Sequence, residues 1–508
     1  MRILLKFFFL VVIAQLINAQ SFGQNNLATK TDTVLSEKLY RPAIHFTPAK
    51  GWMNDPNGMF YKDGLYHLYF QHYPDATVWG PMHWGHATSA DLKYWKEEPI
   101  AIYPDSIGLI FSGSIVVDVN NTSGFGENGK APVVAIFTQH NMQGEKSGKI
   151  DFQNQSIAYS NDNGFTWKKY EGNPVLKNPG IVDFRDPKVM WHEGTKKWIM
   201  TLATKTKVTF YSSTNLKEWT KESDFGMEIG SHDGVWECPD LFPLTLEGAT
   251  YWVLTSSINP GGPNKGSATQ YFIGNFDGHG FTSYSTKTKW MDYGADNYAG
   301  VTFSNTGEHK ISIGWMSNWI YAQQVPTLKW RSAMTVPREL FLNKVDTELY
   351  LISRPYYAVY GDTNKEKSFI NDKGEMNSTL IGKPYSIIFN QKGLGSFTIS
   401  LSNKFGEHLD FGFDSTHQQY FIDRTFAGQH NFNNQFAAKH TAPKLSSFPS
   451  MGCYAIIDKT SIELFAENGL TVMTDIFFPS TPFTKITTKS NTKASTKKWL
   501  KVASYLTP

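Results

Sequence analysis

The chain has 508 residues, of which 48 are basic and 45 acidic, giving a net charge of +3 with histidines neutral. So even a balance leaves no field able to recruit nucleic acid or anionic lipid, and it suits a neutral substrate. The length exceeds what one hydrophobic core supports, so two domains are expected. Aromatics at 15%, with 41 Gly and 24 Pro, favour an all-β, turn-rich protein.

At the N-terminus Arg2 and Lys6 precede the apolar run Phe7 to Ile13, and Ala19 ends a small-residue cleavage-like site. Residues 1–19 therefore read as an export signal, which predicts a secreted or periplasmic protein. The run is shorter than the ~20 apolar residues that cross a bilayer, so no membrane association is expected after cleavage. Polar residues 20–38 read as a flexible leader. Cys238 and Cys453 are too few for a disulfide framework, and a bridge between them stays open.

From about residue 45 to 355 short alternating strands follow one another, such as Gly64 to Gln71 and Ala131 to Thr138, separated by Gly, Asn and Asp turns. One surface element recurs. Ser160-Asn-Asp-Asn-Gly-Phe-Thr-Trp167 has the form of an Asp-box turn, and the segments Ser89 to Trp95 and Ser213 to Trp219 are looser relatives. Repetition of a strand-turn-Trp unit is the signature of a β-propeller, and this length accommodates roughly five or six four-stranded blades. Near Ser353-Arg354-Pro355 the punctuation changes, and a second set of alternating strands reads as a β-sandwich. The domains expected are a propeller over 39–355 and a sandwich over 356–508.

Three segments join a carboxylate to dense aromatic, Pro and amide residues. In Trp52-Met-Asn-Asp-Pro-Asn-Gly58, Asp55 sits on stiff backbone where neighbouring amides could keep it ionised, as a nucleophile requires. In Phe184-Arg185-Asp186-Pro187 a cation lies beside a carboxylate, which suits a permanent anion. In Trp236-Glu237-Cys238-Pro239 the neighbours offer the apolar setting that favours a proton-donating acid. Each alone could be a turn or a surface ion pair. Together they fit glycoside hydrolysis, which sets a nucleophile and an acid about 5 Å apart in retaining enzymes. His83 and His86 have a ligand-like spacing, but residues three apart on a strand face opposite sides, so no metal is expected there.

These segments, with Phe-Ser-Gly-Ser (111–114) and the stretch from Gly314 to Leu340, resemble glycoside hydrolase family 32, the invertases, inulinases and levanases. The resemblance implies a five-bladed propeller with a β-sandwich behind it, and a double-displacement mechanism using neither metal nor organic cofactor. It implies Asp55 as nucleophile, Glu237 as acid/base and Asp186 as transition-state stabiliser. It also implies a fructose pocket lined by Asn54, Gln71, Trp79, Phe111, Ser114, Arg185 and Trp315. The segments 79–95 and 230–240 are most similar to the fructan-degrading branch, so fructan or sucrose is the expected substrate and terminal attack the expected mode. Three other readings compete. A fructosyltransferase would use the same carboxylates; a sialidase would share the Asp-box but needs a Tyr nucleophile and an arginine cluster; a binding-only propeller would have lost its carboxylates. Oligomeric state is not legible.

Overall fold

The alternating pattern becomes strands almost throughout. A computed structural model describes residues 30–356, 375–377, 383–392, 395–447, 450–491 and 500–504. Strands take 51% of the chain and helices 4%, as an all-β reading requires. The expected export signal lies outside the described residues. The expected leader is corrected over its second half: Lys30–Tyr40 forms a helix, α1. It is pinned because Tyr40 packs edge-on against Phe478 at 5.4 Å and the adjacent Arg41 stacks over Trp330 at 4.0 Å.

Five sheets follow. Each has an innermost strand: β1 (Gly51–Lys62), β2 (Leu109–Val117), β3 (Phe184–His192), β4 (Val235–Leu246) and β5 (Tyr298–Thr302). In the first four sheets the chain runs outward from that strand by antiparallel neighbours, so consecutive segments pair. β1 lies beside β2, and so on round to β5, which lies beside β1 again.

Each step of this ring has its own hydrogen bond. Gly113 N–H donates to Asn57 Oδ1 at 3.0 Å, and Ser114 Oγ to the Pro187 carbonyl at 2.9 Å. Cys238 N–H donates to Asp186 Oδ2 at 3.0 Å, Thr302 N–H to Asp240 Oδ2 at 2.6 Å, and Ser304 N–H to the Met59 carbonyl at 2.9 Å. The chain also locks its own start: Trp330–Arg331 pairs in parallel with Gly51 and Trp52. The recurrent strand-turn-Trp element uses one kind of turn three times, two residues longer in its reach at Asp162 than at Asp91 and Asn215. Asp91, Asp162 and Asn215 each accept a backbone N–H through Oδ1, and Leu92, Asn163 and Leu216 hold φ of 62°, 63° and 64°.

Beyond residue 375 the described strands form a six-stranded and a five-stranded sheet. Both put side chains into one apolar core: Ile387 and Phe389 from one, Ile399, Leu401 and Phe411 from the other. Cys453 lies in this core, and both it and Cys238 are free thiols, so the bridge left open by the sequence is not formed.

The C-terminal sheets are tied to the ring by buried charges. Arg424 donates to Asp296 Oδ2 at 2.6 Å and to the Tyr321 hydroxyl at 2.9 Å. Arg338 reaches Glu463 Oε2 through Nε at 3.0 Å and Asp292 Oδ2 through Nη1 at 2.9 Å. His45 joins Asp458 and Glu463, one on each ring nitrogen, both at 2.8 Å. Burial alone would lower the His45 pKa, but hydrogen bonds and charge from Asp458 and Glu463 push it up to about 9.

Two predictions follow from these contacts. Arg424→Met should lower stability by about 3–5 kcal/mol, since Asp296 is left buried without its counter-charge; a urea midpoint equal to the parent's would contradict the bridge. A histidine raised in the folded state stabilises fully below its unfolded pKa of about 6.5 and ceases to do so as pH rises through about 9. The stability gap between the parent and His45→Asn should therefore be widest near pH 6 and close toward about pH 10. A pH-independent gap would mean that His45 is not charged.

Candidate active site

The innermost strands share a defect. In β1 the register slips between Met53 and Pro56, leaving Asn54 and Asp55 out of the ladder. The same happens at Phe111 and Ser112 in β2, at Asp186 and Pro187 in β3, at Cys238 and Pro239 in β4, and at Ala299 and Gly300 in β5. Such bulges re-aim side chains that a regular strand would send into the neighbouring sheets. They also explain two motif prolines: Pro187 and Pro239 stand where no ladder N–H is needed. Asp186 and Cys238 take left-handed backbone, at φ of 63° and 44°, an uncommon state for residues with a Cβ that concentrates at functional sites.

The bulges bring the three carboxylates together. Asp55 Oδ1 accepts from Asn54 Nδ2 at 3.0 Å, and Oδ2 accepts from Ser112 Oγ at 2.7 Å. Asn54 is itself held by Trp52 Nε1 at 2.7 Å. The Cys238 thiol lies between two acids, 3.4 Å from Asp55 Oδ2 and 3.6 Å from Asp186 Oδ2. Arg185 donates to Glu237 Oε1 from Nη2 at 2.9 Å and from Nε at 3.2 Å, and also pairs with Asp183. The Tyr298 hydroxyl donates to Glu237 Oε2.

Crowding sets the electrostatics. Burial pushes Asp55 above its ordinary range and the charge of Glu237 adds to this, against hydrogen bonds from Ser112, Asn54 and Cys238. Asp186 is pushed up to about 7, chiefly by burial and also by Glu237 and Asp55. Arg185 does pull it down, but its guanidinium faces Glu237 and stays 3.9 Å from the Asp186 carboxylate. Burial and the three surrounding carboxylates hold the Cys238 thiol far above its usual value, so it remains an S–H donor.

Most expected pocket residues gather here. Gln71 is buried and donates from Nε2 to the Ile110 carbonyl at 3.0 Å, bracing the β2 bulge. Trp79 and Phe111 are half-buried and meet edge to face at 6.1 Å. Trp315 is fully buried against Trp52 and Trp319, at 6.0 and 4.9 Å. Ser114 is the exception. It is turned away from Asp55, donating to the Pro187 carbonyl and accepting Val189 N–H at 2.9 Å, so it joins β2 to β3.

The serine on Asp55 is Ser112. A strand places residues two apart on one face, and only the bulge separates the roles of Ser112 and Ser114. Tyr298 and Cys238 were likewise not foreseen as contacts of the acids. Cys238 lay inside a recognised motif, whereas nothing local marks Tyr298. His86 is buried, stacked on Tyr69 at 4.2 Å and hydrogen-bonded to His67 at 3.0 Å. Among the described residues, no group of three or more His, Cys, Asp or Glu is arranged to hold a metal ion.

What the arrangement can do chemically is set by its donors. A carboxylate fixed by three donors can attack an electrophilic carbon without rearranging, and a second acid on a neighbouring strand can exchange a proton with the departing group. Glu237 keeps a fifth of its side chain exposed, so its proton has a path to the mouth.

Known proteins share this architecture. Residues 45–355 match the glycosyl hydrolases family 32 N-terminal domain, and residues 357–504 the family's C-terminal domain. The chain is 43% identical to a levanase of Bacillus subtilis over 470 residues, covering 89% of this chain and 68% of that protein. It is 40% identical to an extracellular exo-inulinase of Aspergillus niger over 486 residues, covering 87% and 90%. Among solved structures, an exo-inulinase from Aspergillus awamori superposes with a TM-score of 0.84 at 36% identity, covering 93% and 99% of the two chains. A β-fructofuranosidase from Schwanniomyces occidentalis complexed with fructosyl-erythritol gives 0.82 at 35% identity, covering 92% and 98%. With both family domains matched in order along one β-propeller chain, this protein belongs to glycosyl hydrolases family 32 and is a glycoside hydrolase of the fructofuranosidase type.

Proposed function

We propose that the chain is a secreted, retaining β-fructosidase that removes terminal β-D-fructofuranosyl units from fructans such as levan or inulin, and from sucrose. The observation that carries this reading is the meeting of Asp55, Asp186 and Glu237 through Cys238 and Arg185. The levanase and exo-inulinase relatives support the substrate class, and the extracellular location of the latter supports export. We read the five sheets as five blades, and the two C-terminal sheets as a β-sandwich supporting them.

In this reading Asp55 attacks C2 of the terminal fructosyl unit as the C2–oxygen bond to the rest of the chain breaks. Glu237 gives its proton to the departing oxygen. A water then attacks C2, Glu237 takes the water's proton, and Asp55 leaves, so two inversions retain the configuration. Asp186 stabilises the oxocarbenium-like transition state through sugar hydroxyls. Arg185 and Tyr298 hold Glu237 in line for both proton transfers. Asn54 and Ser112 keep Asp55 aimed, while Trp79 and Phe111 offer an aromatic wall for the sugar. Gln71 and Trp315 back the pocket from behind. No step calls for a metal or an organic cofactor.

Two measurements test this. Asp55→Asn should lower fructose release from levan, inulin and sucrose by about 10³-fold or more, as removal of a nucleophile does. Free fructose alone in the parent's time course would support terminal hydrolysis. Short oligosaccharides would mean internal attack, lengthened products would mean transfer to a sugar hydroxyl, and an active variant would overturn the assignment. Second, Asp186 acts only when ionised, and Arg185 is the charge that lowers its pKa. Arg185→Met should therefore move the acid limb of kcat/KM to higher pH; a limb that stays in place would free Asp186 from controlling it.

A further inference from the structure

Asp186 owes its conformation to the neighbouring sheet. The slip in β3 takes its backbone N–H out of the ladder, and its φ of 63° is uncommon for a residue with a Cβ. Such a conformation persists only where the surroundings over-determine it. Those surroundings are the two strands that follow β2 in its sheet, Val133–His140 and Gln153–Ser160.

Thr138 and Gln155 face each other across the ladder between these strands, and both are fully buried. Thr138 Oγ1 accepts the Asp186 N–H at 3.0 Å and donates to Gln155 Oε1 at 2.7 Å. Gln155 Nε2 in turn donates to the Phe184 carbonyl at 2.9 Å. A circuit therefore closes through the backbone from Phe184 to Asp186. Its polarity is fixed as well. The Phe184 carbonyl can only accept, so the Gln155 amide nitrogen faces it, the amide oxygen faces Thr138, and the hydroxyl must donate to that oxygen. The hydroxyl oxygen is then free to accept from Asp186. Gln153 adds a further hold, accepting the Phe184 N–H through Oε1 at 2.8 Å. Polar side chains buried between sheets are costly unless paired. Here they are paired with the one stretch of β3 whose own ladder is interrupted.

We propose that Thr138 and Gln155 are positioning residues for the hydrolysis, acting through Asp186 and resting on the transition-state role given to Asp186 above. The circuit holds the bulge so that the Asp186 carboxylate meets the fructosyl hydroxyls as the oxocarbenium character develops. Opening the circuit frees the Asp186 N–H and lets the bulge relax, which displaces the carboxylate without removing it. A loss felt in the transition state lowers kcat and leaves KM in place.

The test is steady-state sucrose hydrolysis by the full chain. Thr138→Val keeps the shape but neither accepts nor donates, so kcat should fall about 10- to 100-fold, the scale of a small misplacement of a reacting group, with KM within about twofold of the parent. Thr138→Ser restores the hydroxyl and should recover most of the loss. Gln155→Met opens the circuit at its other member and should give the same split, so the outcome does not hang on the folding of one variant. In an Asp186→Asn background Thr138→Val should cost less than about twofold, because a residue that acts through Asp186 has nothing left to position. A structural defect would cost the same in both backgrounds, and that result would overturn the proposal. So would parental kcat in both Thr138→Val and Gln155→Met while Asp186→Asn is impaired. Failure of the functional reading looks different: Asp186→Asn would then itself turn over sucrose like the parent.

Discussion

The active site depends on a geometric constraint of closed rings of strands. A regular strand alternates its side chains between two faces, and in this ring both faces meet neighbouring sheets. No residue of a regular innermost strand is aimed at the mouth. The bulge repeated in all five inner strands removes that restriction at one level of the ring. Asp55, Ser112, Asp186 and Cys238 sit within those bulges, and Glu237 and Tyr298 at their edges. Catalytic geometry here is a property of interrupted ladders, held in place by the hydrogen bonds that carry each strand to the next.

Gathering three carboxylates in a partly dry site is electrostatically unfavourable. The chain offsets this with one guanidinium on Glu237, a thiol between Asp55 and Asp186, and side-chain donors from Asn54 and Ser112. The compensation is partial, and burial with the neighbouring carboxylates leaves Asp186 above the usual carboxylate range. The same logic recurs where the C-terminal sheets meet the ring. Arg338, Arg424 and His45 are buried there, each against acids that cannot reach water.

Much of this was legible. Alternation gave the strands, the Asp-box repeats gave radial repetition, and the three carboxylate motifs gave the acids that meet. The misreadings share one cause, contact between residues distant in the chain. Arg185 does lie 3.9 Å from its neighbour Asp186, but its hydrogen bonds reach across to Glu237, 52 positions away. Ser114 was placed in the pocket, yet one bulge hands that place to Ser112. Residues 30–38 read as loose because they bury little themselves; they are helical, and the helix is held at its end by Tyr40 on Phe478 and by Arg41 on Trp330.

The sequence by itself determined the strand content, because periodicity is local, and it marked the three carboxylate motifs, whose roles in one site followed from the family resemblance. Tertiary structure alone decided which oxygen meets which donor and which charge balances which acid. Those outcomes turn on register slips of one residue and on pairings between sheets, and neither leaves a mark in the order of residues along the chain.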